Sequence, residues 1–267
     1  MKQRILVIGT GFAGLWSALS AARLLDLQAR DDIEVCVVAA KAELHVRPRF
    51  YEADVARMSA PLDELFAVVG VRFVQGWVSA IDSAKQTVTY RDNNHAEQQL
   101  SYSRLILASG SQVNRPPLSG IEHAFDVDSL QHAVALERHL HSLGDLPDSP
   151  ARNTVVVAGG GFTGIETATE LPARLRAILG EQADIRVIVV DRGERIGASL
   201  GAQVAPIVAE ASAQQGVTWH LGSSVLAVDA GGVTLASGER IEALTVIWTV
   251  GVQASPLTAQ LPAERDA

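Results

Sequence analysis

A short apolar segment, a glycine-rich turn and a helical pattern occur together twice in this chain. Both turns have the spacing G-x-G-x-x-G, and their glycines are Gly9, Gly11 and Gly14, then Gly159, Gly161 and Gly164. The first glycine of such a turn allows a tight bend, the second lets a pyrophosphate approach the backbone, and the third lets helix and strand pack closely. Free N–H groups at the start of the helix then face the phosphates. One copy would be a weak signal, but two copies in the same context predict two dinucleotide sites.

The segments around each turn predict strand–helix–strand units. Apolar runs at 5–8 and 35–38 flank a helix predicted over 13–28, and runs at 154–158 and 185–190 flank a second helix. Strands joined in this way are parallel, with a right-handed crossover. Pro172 lies inside the second helix and should kink it or end it near Leu171.

Shorter segments without long helices between them predict an antiparallel meander in each copy. In the first copy these are 71–74, 77–81 and 87–90, followed by a buried strand at 105–108. In the second copy the segments 217–221, 225–228, 232–235 and 244–250 repeat the meander and the closing strand. The predicted fold class is therefore α/β, with two Rossmann-like dinucleotide-binding domains of three-layer ββα architecture.

A proline-containing breaker at 114–117 marks the predicted crossing between domains. The predicted domains are 1–115, which would bind the first dinucleotide, 116–252, which would bind the second, and 253–267, the start of a return to the first domain.

Composition excludes several classes of protein. The 267 residues carry a net charge of −8 and no basic stripe, which argues against a nucleic-acid partner. The single cysteine, Cys36, excludes an internal disulfide, a redox pair of cysteines and a cysteine-based zinc site. Cys36 lies in an apolar strand and is predicted to be an inert core residue. No metal site is expected. The sequence contains no run of about 18 apolar residues that would predict a transmembrane segment. A cytoplasmic location is expected.

The two copies differ at the end of their second strand, where an acid would hold the ribose. Asp191 ends the strand of the second copy, and an acid there favours NAD over NADP, although Arg192 beside it weakens the preference. The first copy instead has Ala39 and Ala40, which have no side-chain acceptor. Two substitutes stay open at this point: Glu43 could reach the ribose, or Lys41 could meet a phosphate.

Five segments in the same order resemble the FAD-dependent pyridine-nucleotide oxidoreductases, and within them the type II NADH:quinone dehydrogenase-like group. They are 8–14, 47–52, 107–111, 159–166 and 246–251. The resemblance implies FAD on the first turn and NAD(H) on the second. The implied FAD residues are Gly9, Gly11, Phe12, Ala13, Gly14, Arg47, Val78, Ala108, Ser109 and Gly110. The implied NAD residues are Gly159, Gly161, Phe162, Thr163, Gly164, Glu166, Asp191 and Gly251.

The resemblance also implies a reaction. A hydride would pass from NAD(P)H to FAD, and electrons would pass on to a quinone-like or other small acceptor, with Glu166 as the candidate catalytic residue near the nicotinamide–flavin contact. The family continues into a Gly-Asp segment and a C-terminal region beyond residue 267, so the first domain is expected to be incomplete. An exposed edge would then favour association, such as a homodimer, and full-length relatives would be peripheral to the inner membrane.

Two alternatives stay open. The first is a catalytically inactive, truncated fragment that binds NAD(H) only, and the missing C-terminal segment favours it for this chain in isolation. The second is a single-cofactor dehydrogenase or methyltransferase, against which the duplicated motif argues.

Overall fold

A computed structural model describes residues 2–262, which form two compact units. Of the described residues, the first unit comprises 2–46, 59–112 and 253–262, and the second comprises 47–58 and 113–252. Residues 263–267, at the end of the predicted third segment, lie outside the described residues. Residues 47–58 group with the second unit, although the sequence placed them in the first domain.

The first unit contains a parallel sheet, a meander and two helices. Its strands are β1 (Gln3–Ile8), β2 (Ile33–Ala39), β3 (Glu43–His45), β4 (Ser59–Pro61), β5 (Arg72–Gln75), β6 (Trp77–Asp82), β7 (Thr87–Arg91), β8 (Glu97–Ser101), β9 (Arg104–Leu107) and β10 (Ser111–Val113). Its helices are α1 (Phe12–Leu27) and α2 (Asp63–Val68).

These elements form three layers. The four-stranded sheet has the order β5-β2-β1-β9 with all pairs parallel, while β6-β7-β8 is antiparallel and β3 pairs with β4. Alternate residues of β1 and β2 point to opposite faces, as expected of a strand. Val7 and Val37 pack with α1 and α2, whereas Leu6 and Cys36 pack with the meander.

The second unit repeats this plan. Its helices are α3 (Leu130–Ser142), α4 (Pro150–Asn153), α5 (Phe162–Leu179) and α6 (Ala205–Gln214). Its strands are β11 (Thr154–Ala158), β12 (Arg186–Val190), β13 (Val217–His220), β14 (Val225–Asp229), β15 (Gly232–Leu235), β16 (Arg240–Glu242) and β17 (Thr245–Trp248). The last strand, β18 (Val252–Ala254), belongs mostly to the first unit, where it pairs with β10. Short 3₁₀ turns of the second unit occupy Arg47–Arg49, Val55–Arg57, Ile121–His123, Leu143–Asp145 and Ala198–Leu200, and another, Pro256–Gln260, lies in the first unit.

The sheet of the second unit has the order β13-β12-β11-β17, again all parallel, and β14-β15-β16 forms the antiparallel meander. Val156, Ile188 and Trp248 pack against Val233 and Leu235 of the meander, which builds a core between the two sheets. The predicted fold class, α/β with two Rossmann-like units, is confirmed.

Two strands predicted in the meanders are in fact members of the parallel sheets. β5 pairs in parallel with β2, and β13 pairs in parallel with β12. The short helix α2 and the helix α6 precede them and provide the crossovers that parallel pairing requires. The third strand of the first meander is β8, which the sequence did not indicate.

Of the two effects predicted for Pro172, an end of α5 near Leu171 is wrong, because the helix continues through Pro172 to Leu179. Proline removes one hydrogen bond and costs about 3 kcal/mol inside a helix. Pro172 is buried together with Leu171 and Leu175, which are 0% exposed, so packing of this face offsets the loss.

Candidate dinucleotide sites

The first glycine turn connects β1 to α1 with little room to spare. Gly9 has a φ of +107°, which favours glycine, and a Cβ there would lie 2.3 Å from the carbonyl oxygen of Ala108. A Cβ on Gly14 would lie 2.1 Å from the carbonyl oxygen of Gly9. A Cβ on Gly11 would meet nothing within 4 Å. The turn is therefore closed toward the protein at its first and third glycines and open at its second.

The start of α1 is suited to an anion. Gly11 is the N-cap residue, no side chain caps the helix, and no acidic residue lies in the first turn. The N–H groups of the first turn have no acceptor within the helix, so they are available to a ligand. Phe12 and Ala13 form this turn and are exposed.

A cleft of about 370 Å³ lies beside this turn, and we call it the first cleft. Six of the predicted FAD residues line it, namely Gly9, Gly11, Val78, Ala108, Ser109 and Gly110. Its lining also includes Trp77, Ser255 and Leu257, which sequence reasoning did not select. Trp77 is 56% exposed and adjoins Val78, and Ser255 donates its backbone N–H to Gly110 (3.2 Å). No periodicity in the sequence marked these three residues as part of a site.

The end of β2 provides no acidic ribose acceptor. Ala39 and Ala40 line the first cleft. Lys41 and Glu43, the two substitutes considered from the sequence, pair with each other (Nζ to Oε1, 3.8 Å), and neither lines the cleft.

Arg47 lies in the second unit and forms an ion pair with Asp128. Hydrogen bonds also connect the segment 47–58 to the rest of the second unit. Arg174 donates to the carbonyl oxygen of Tyr51 (2.7 Å), and the N–H of Asp54 donates to the side chain of Glu137 (2.7 Å). These contacts explain why residues 47–58 group with the second unit. The role of Arg47 at a flavin stays a prediction.

The second glycine turn has the same geometry as the first. Gly159 has a φ of +106°, and a Cβ on Gly164 would lie 1.9 Å from the carbonyl oxygen of Gly159. A Cβ on Gly161 would again meet nothing within 4 Å. Gly161 caps α5 without a side-chain hydrogen bond, and Phe162 and Thr163 follow it with exposed side chains.

A second cleft, of about 460 Å³, lies at this turn within the second unit. Predicted NAD residues that line it are Gly159, Asp191 and Gly251. Sequence reasoning missed Asn114, Ser223, Ser224 and Trp248, which also line it. Ser223 and Ser224 follow β13, so assigning that segment to the meander concealed their place at the edge of the parallel sheet.

Asp191 is held at the end of β12 by backbone donors. Its Oδ2 accepts from the N–H of Gly160 (2.6 Å), and its Oδ1 accepts from the N–H of Gly193 (2.7 Å). The carboxylate therefore connects the strand end to the glycine turn. Each oxygen retains a further lone pair for a ribose hydroxyl.

Glu166 lies one turn into α5, on its exposed face. Partial burial raises the pKa of its carboxyl above the ordinary value. The pKa of the nearby Tyr51 hydroxyl is also raised, first by burial and then by the negative charges of Glu166, Glu52 and Glu170. Glu166 thus holds its proton to a higher pH than a solvated glutamate does.

The residues of both clefts fit a dinucleotide. Each turn combines an open second glycine with an uncapped helix start and adjoins a cleft at the carboxyl ends of parallel strands, which is the usual place for such a ligand. Among residues 2–262, no three His, Cys, Asp or Glu side chains are grouped as a metal site. None of the helices described is both long and apolar enough to cross a membrane.

Comparisons with known proteins identify relatives of the chain. The chain is 45% identical over 268 residues to NADH dehydrogenase-like protein Rv1812c of Mycobacterium tuberculosis, an alignment that covers 98% of the chain and 66% of that protein. It is 31% identical over 270 residues to demethylphylloquinone reductase NdbB of Synechocystis, with 97% and 64% covered. The chain thus spans slightly less than two thirds of the length of these relatives.

A solved structure of similar fold is NDH2 from Plasmodium falciparum in complex with NADH. It superposes with a TM-score of 0.80 at 15% identity, over 97% of this chain and 57% of the other, which supports the fold. The sequence profile of the pyridine nucleotide-disulphide oxidoreductases matches residues 3–266. The chain therefore belongs to the pyridine nucleotide-disulphide oxidoreductase family.

Proposed function

We propose that this chain forms the cofactor-binding part of a flavin-dependent oxidoreductase of the NADH dehydrogenase type. FAD would bind in the first cleft and NAD(H) in the second, with a quinone-like small molecule as the electron acceptor. The observation that carries the proposal is the paired geometry. Two turns, 150 residues apart in sequence, each leave the second glycine open at the start of an uncapped helix.

The chemistry of hydride and electron transfer would come from the bound cofactors, while the protein binds and orients them. The first-turn N–H groups of α1 and α5 would donate to phosphate oxygens. Asp191 would accept a ribose hydroxyl while it holds the glycine turn in place. Ala108, Ser109 and Gly110 would line the flavin.

Flavin retention and nucleotide binding test the proposal separately. The purified chain would be mixed with FAD, desalted and examined by visible absorption, and NAD⁺ binding would be measured by calorimetry. We expect the flavin bands to persist and NADH to bleach them. A colourless chain that still binds NAD⁺ would support the inactive NAD(H)-only alternative, which the absence of an acid at Ala39 and Ala40 favours.

A matched pair of substitutions assigns each ligand to its cleft. Gly11→Glu and Gly161→Glu place a carboxylate in open space at positions whose φ values, −63° and −76°, suit any residue. Gly11→Glu should abolish FAD retention and leave NAD⁺ binding intact, because the carboxylate repels a phosphate only at its own turn. Gly161→Glu should do the reverse. Equal effects of both variants on both ligands would contradict the assignment.

Glu166 is the proposed catalytic residue, since it adjoins the turn that would hold NAD(H) and partial burial raises the pKa of its carboxyl. Glu166→Gln should leave binding of both cofactors unchanged and slow reduction of the flavin by about 100-fold, an ordinary value for loss of a proton-transferring group. The pH dependence of that rate should change as well. An unchanged rate and pH profile would leave Glu166 as an ordinary residue of the helix surface.

The remaining parts of the proposal concern location and assembly. We propose that the protein lies in the cytoplasm with peripheral contact to the inner membrane. We also propose that it forms a homodimer, which sedimentation velocity tests.

A further inference from the structure

Trp77 is a large aromatic side chain of the first cleft that has no role in the function proposed above. It is 56% exposed, and among the described residues it is the one aromatic side chain in the lining of that cleft. We propose that Trp77 stacks on the adenine ring of the dinucleotide, so that the first cleft selects its ligand by the base and not by the ribose. This inference rests on the proposed flavin site and assigns a specificity-determining residue to it.

The backbone holds Trp77 beside the end of β2. The N–H of Gly76 donates to the carbonyl oxygen of Ala39 (2.9 Å). Gly76 is itself closely packed, because a Cβ there would lie 2.4 Å from Cδ2 of Tyr90. Trp77 therefore follows a fixed residue at the strand end, which is the place where an acid would ordinarily hold the ribose of a dinucleotide.

The indole of Trp77 points away from the hydrophobic core. Neighbouring residues of a strand point to opposite faces, and Val78 packs against the core between the sheet and the meander. In the described part of the chain, the ring of Trp77 stacks on no other aromatic ring. Aromatic rings prefer offset-stacked or edge-to-face contacts with one another, so this indole offers a face to a ligand ring in the cleft.

The rest of the lining offers little that would recognise a ribose. No described residue that lines the first cleft has a charged side chain. The glycine turn is connected to the end of β2 by the hydroxyl of Thr10, which donates to the carbonyl oxygen of Lys41 (3.3 Å), and not by a carboxylate. A ribose diol would therefore find no charged acceptor here, and selectivity at this end of the ligand must come from contacts with the base.

The second cleft provides an internal comparison. Ala39 and Asp191 each follow the strand residue that accepts the N–H of the first glycine in the turn. In the second unit the N–H of Ser223 donates to the carbonyl oxygen of Asp191 (3.0 Å). The residue before Trp77 makes the same bond to Ala39, so Ser224 corresponds to Trp77. One cleft thus combines an acid with a small serine, and the other combines an alanine with a tryptophan, so the aromatic surface is not a property of the shared fold.

Calorimetric titration of the full chain with FAD and FMN tests the role of Trp77, because FMN carries the flavin without adenine. Trp77→Ala should weaken FAD by about 10- to 100-fold, the range for loss of one stacked base, and leave FMN and NAD⁺ unchanged. Trp77→Phe keeps an aromatic face, whereas Trp77→Leu keeps only apolar bulk. The phenylalanine variant should therefore bind FAD more tightly than the leucine variant does.

Deoxy analogues of the two dinucleotides test whether the base or the ribose is recognised. FAD that lacks the 2′-hydroxyl of its adenosine should bind within about 3-fold of FAD, because it loses no hydrogen bond to a charged group. NAD⁺ with the same change should bind at least about 10-fold more weakly than NAD⁺, because it loses a charge-assisted hydrogen bond to Asp191.

Trp16→Ala is the matched control, because Trp16 is 63% exposed in the same unit and does not line the cleft. It should leave the affinity for FAD unchanged. The role of Trp77 is overturned if Trp77→Ala leaves FAD binding unchanged, if it weakens FAD and FMN equally, or if the phenylalanine and leucine variants bind FAD alike. It is also overturned if deoxy-FAD binds more than about 10-fold more weakly than FAD, since the ribose would then be recognised. Failure of FAD itself to bind the wild-type chain would instead overturn the proposed flavin site, and the role of Trp77 with it.

Discussion

At the scale of single residues, Asp126 in the second unit is a buried charge with three hydrogen-bond partners. Its side chain is 1% exposed, pairs with Arg115, lies 2.8 Å from Nδ1 of His132 and accepts the N–H of Asp128 (3.0 Å). Burial alone would raise the pKa of this carboxyl, but the donors of Arg115, Asp128 and His132 outweigh it and hold the pKa below the ordinary value. Arg115 also donates to Ile121 and Ala124, so the cluster fixes the segment that leads into the second unit.

We expect Asp126→Asn to lower the free energy of unfolding at pH 7 by about 3 kcal/mol, since it leaves buried donors without their charged acceptor. A carboxyl with a depressed pKa stabilises the fold above its unfolded pKa, and this contribution is lost as pH falls through the folded pKa. The difference in free energy of unfolding between wild type and variant should therefore disappear below about pH 4. Urea denaturation across this pH range measures it.

The exposed pair of Asp229 and Arg240, with Nη2 and Oδ1 2.7 Å apart, provides the control. Asp229→Asn should cause a clearly smaller loss, because solvent screens an exposed ion pair. Equal losses for the two variants would show that burial does not determine how much the Asp126 cluster contributes to the free energy of unfolding.

A second prediction at this scale concerns Cys36, which is 0% exposed between the sheet and the meander. Burial raises the pKa of its thiol to about 11. Because the thiolate is the reactive form, the folded chain should not react with a thiol reagent such as DTNB at pH 8, and unfolding in urea should release one reactive thiol. Rapid labelling of the folded chain would contradict the inert role predicted from the sequence.

At the scale of elements, α1 and α5 have equivalent turns and opposite surfaces. The offset between the two turns is 150 residues, so Trp16, Leu24 and Leu27 of α1 correspond to Glu166, Arg174 and Ala177 of α5. In the second unit Arg174 is covered, with a side chain 8% exposed against Glu137 and Tyr51. In the first unit Trp16, Leu24 and Leu27 are 63%, 54% and 71% exposed. Leu24 of α1 is thus exposed, whereas the corresponding Arg174 of α5 is covered.

Substitutions on two faces of α1 test this exposure. Leu27→Lys should change the free energy of unfolding by no more than about 0.5 kcal/mol, as surface changes do. Leu15→Ala, at a position that is 6% exposed in the helix–sheet core, should cost about 2–5 kcal/mol. Urea denaturation compares them. A large loss for Leu27→Lys would mean that this face of α1 is covered in solution.

Sequence patterns were sufficient to locate some of the strands and helices. Long apolar runs and helical spacing located β1, β2, α1, β11 and β12 within a few residues, because their side-chain periodicity is strong. β5 and β13 were assigned to the wrong sheets, because a short apolar run has the same appearance in a parallel sheet and in a meander. Their pairing depends on the preceding helices α2 and α6, which the sequence did not indicate.

At the scale of the whole molecule, each unit has its own cleft, so each ligand should protect its own segments. In hydrogen exchange, saturating NAD⁺ should slow amide exchange around the turn at 159–164, near Asp191–Gly193 and at 223–225, and leave the turn at 9–14 unchanged. At 100 times its Kd, NAD⁺ should add about 2.7 kcal/mol to the unit that binds it. FAD should protect 9–14 and 108–110. Protection of both turns by either ligand alone would contradict two separate sites.

The sequence by itself determined the duplicated plan, the two glycine turns and the acid at Asp191. These features are local, since a turn, a helix start and a strand end depend on residues a few positions apart. Tertiary structure alone decided that residues 47–58 group with the second unit, that Pro172 is tolerated within α5, and that Ser223 and Ser224 join Asp191 and Arg192 in one cleft. Each depends on contacts between residues 30 or more positions apart or on burial against other elements, and no periodicity in the chain encodes such contacts.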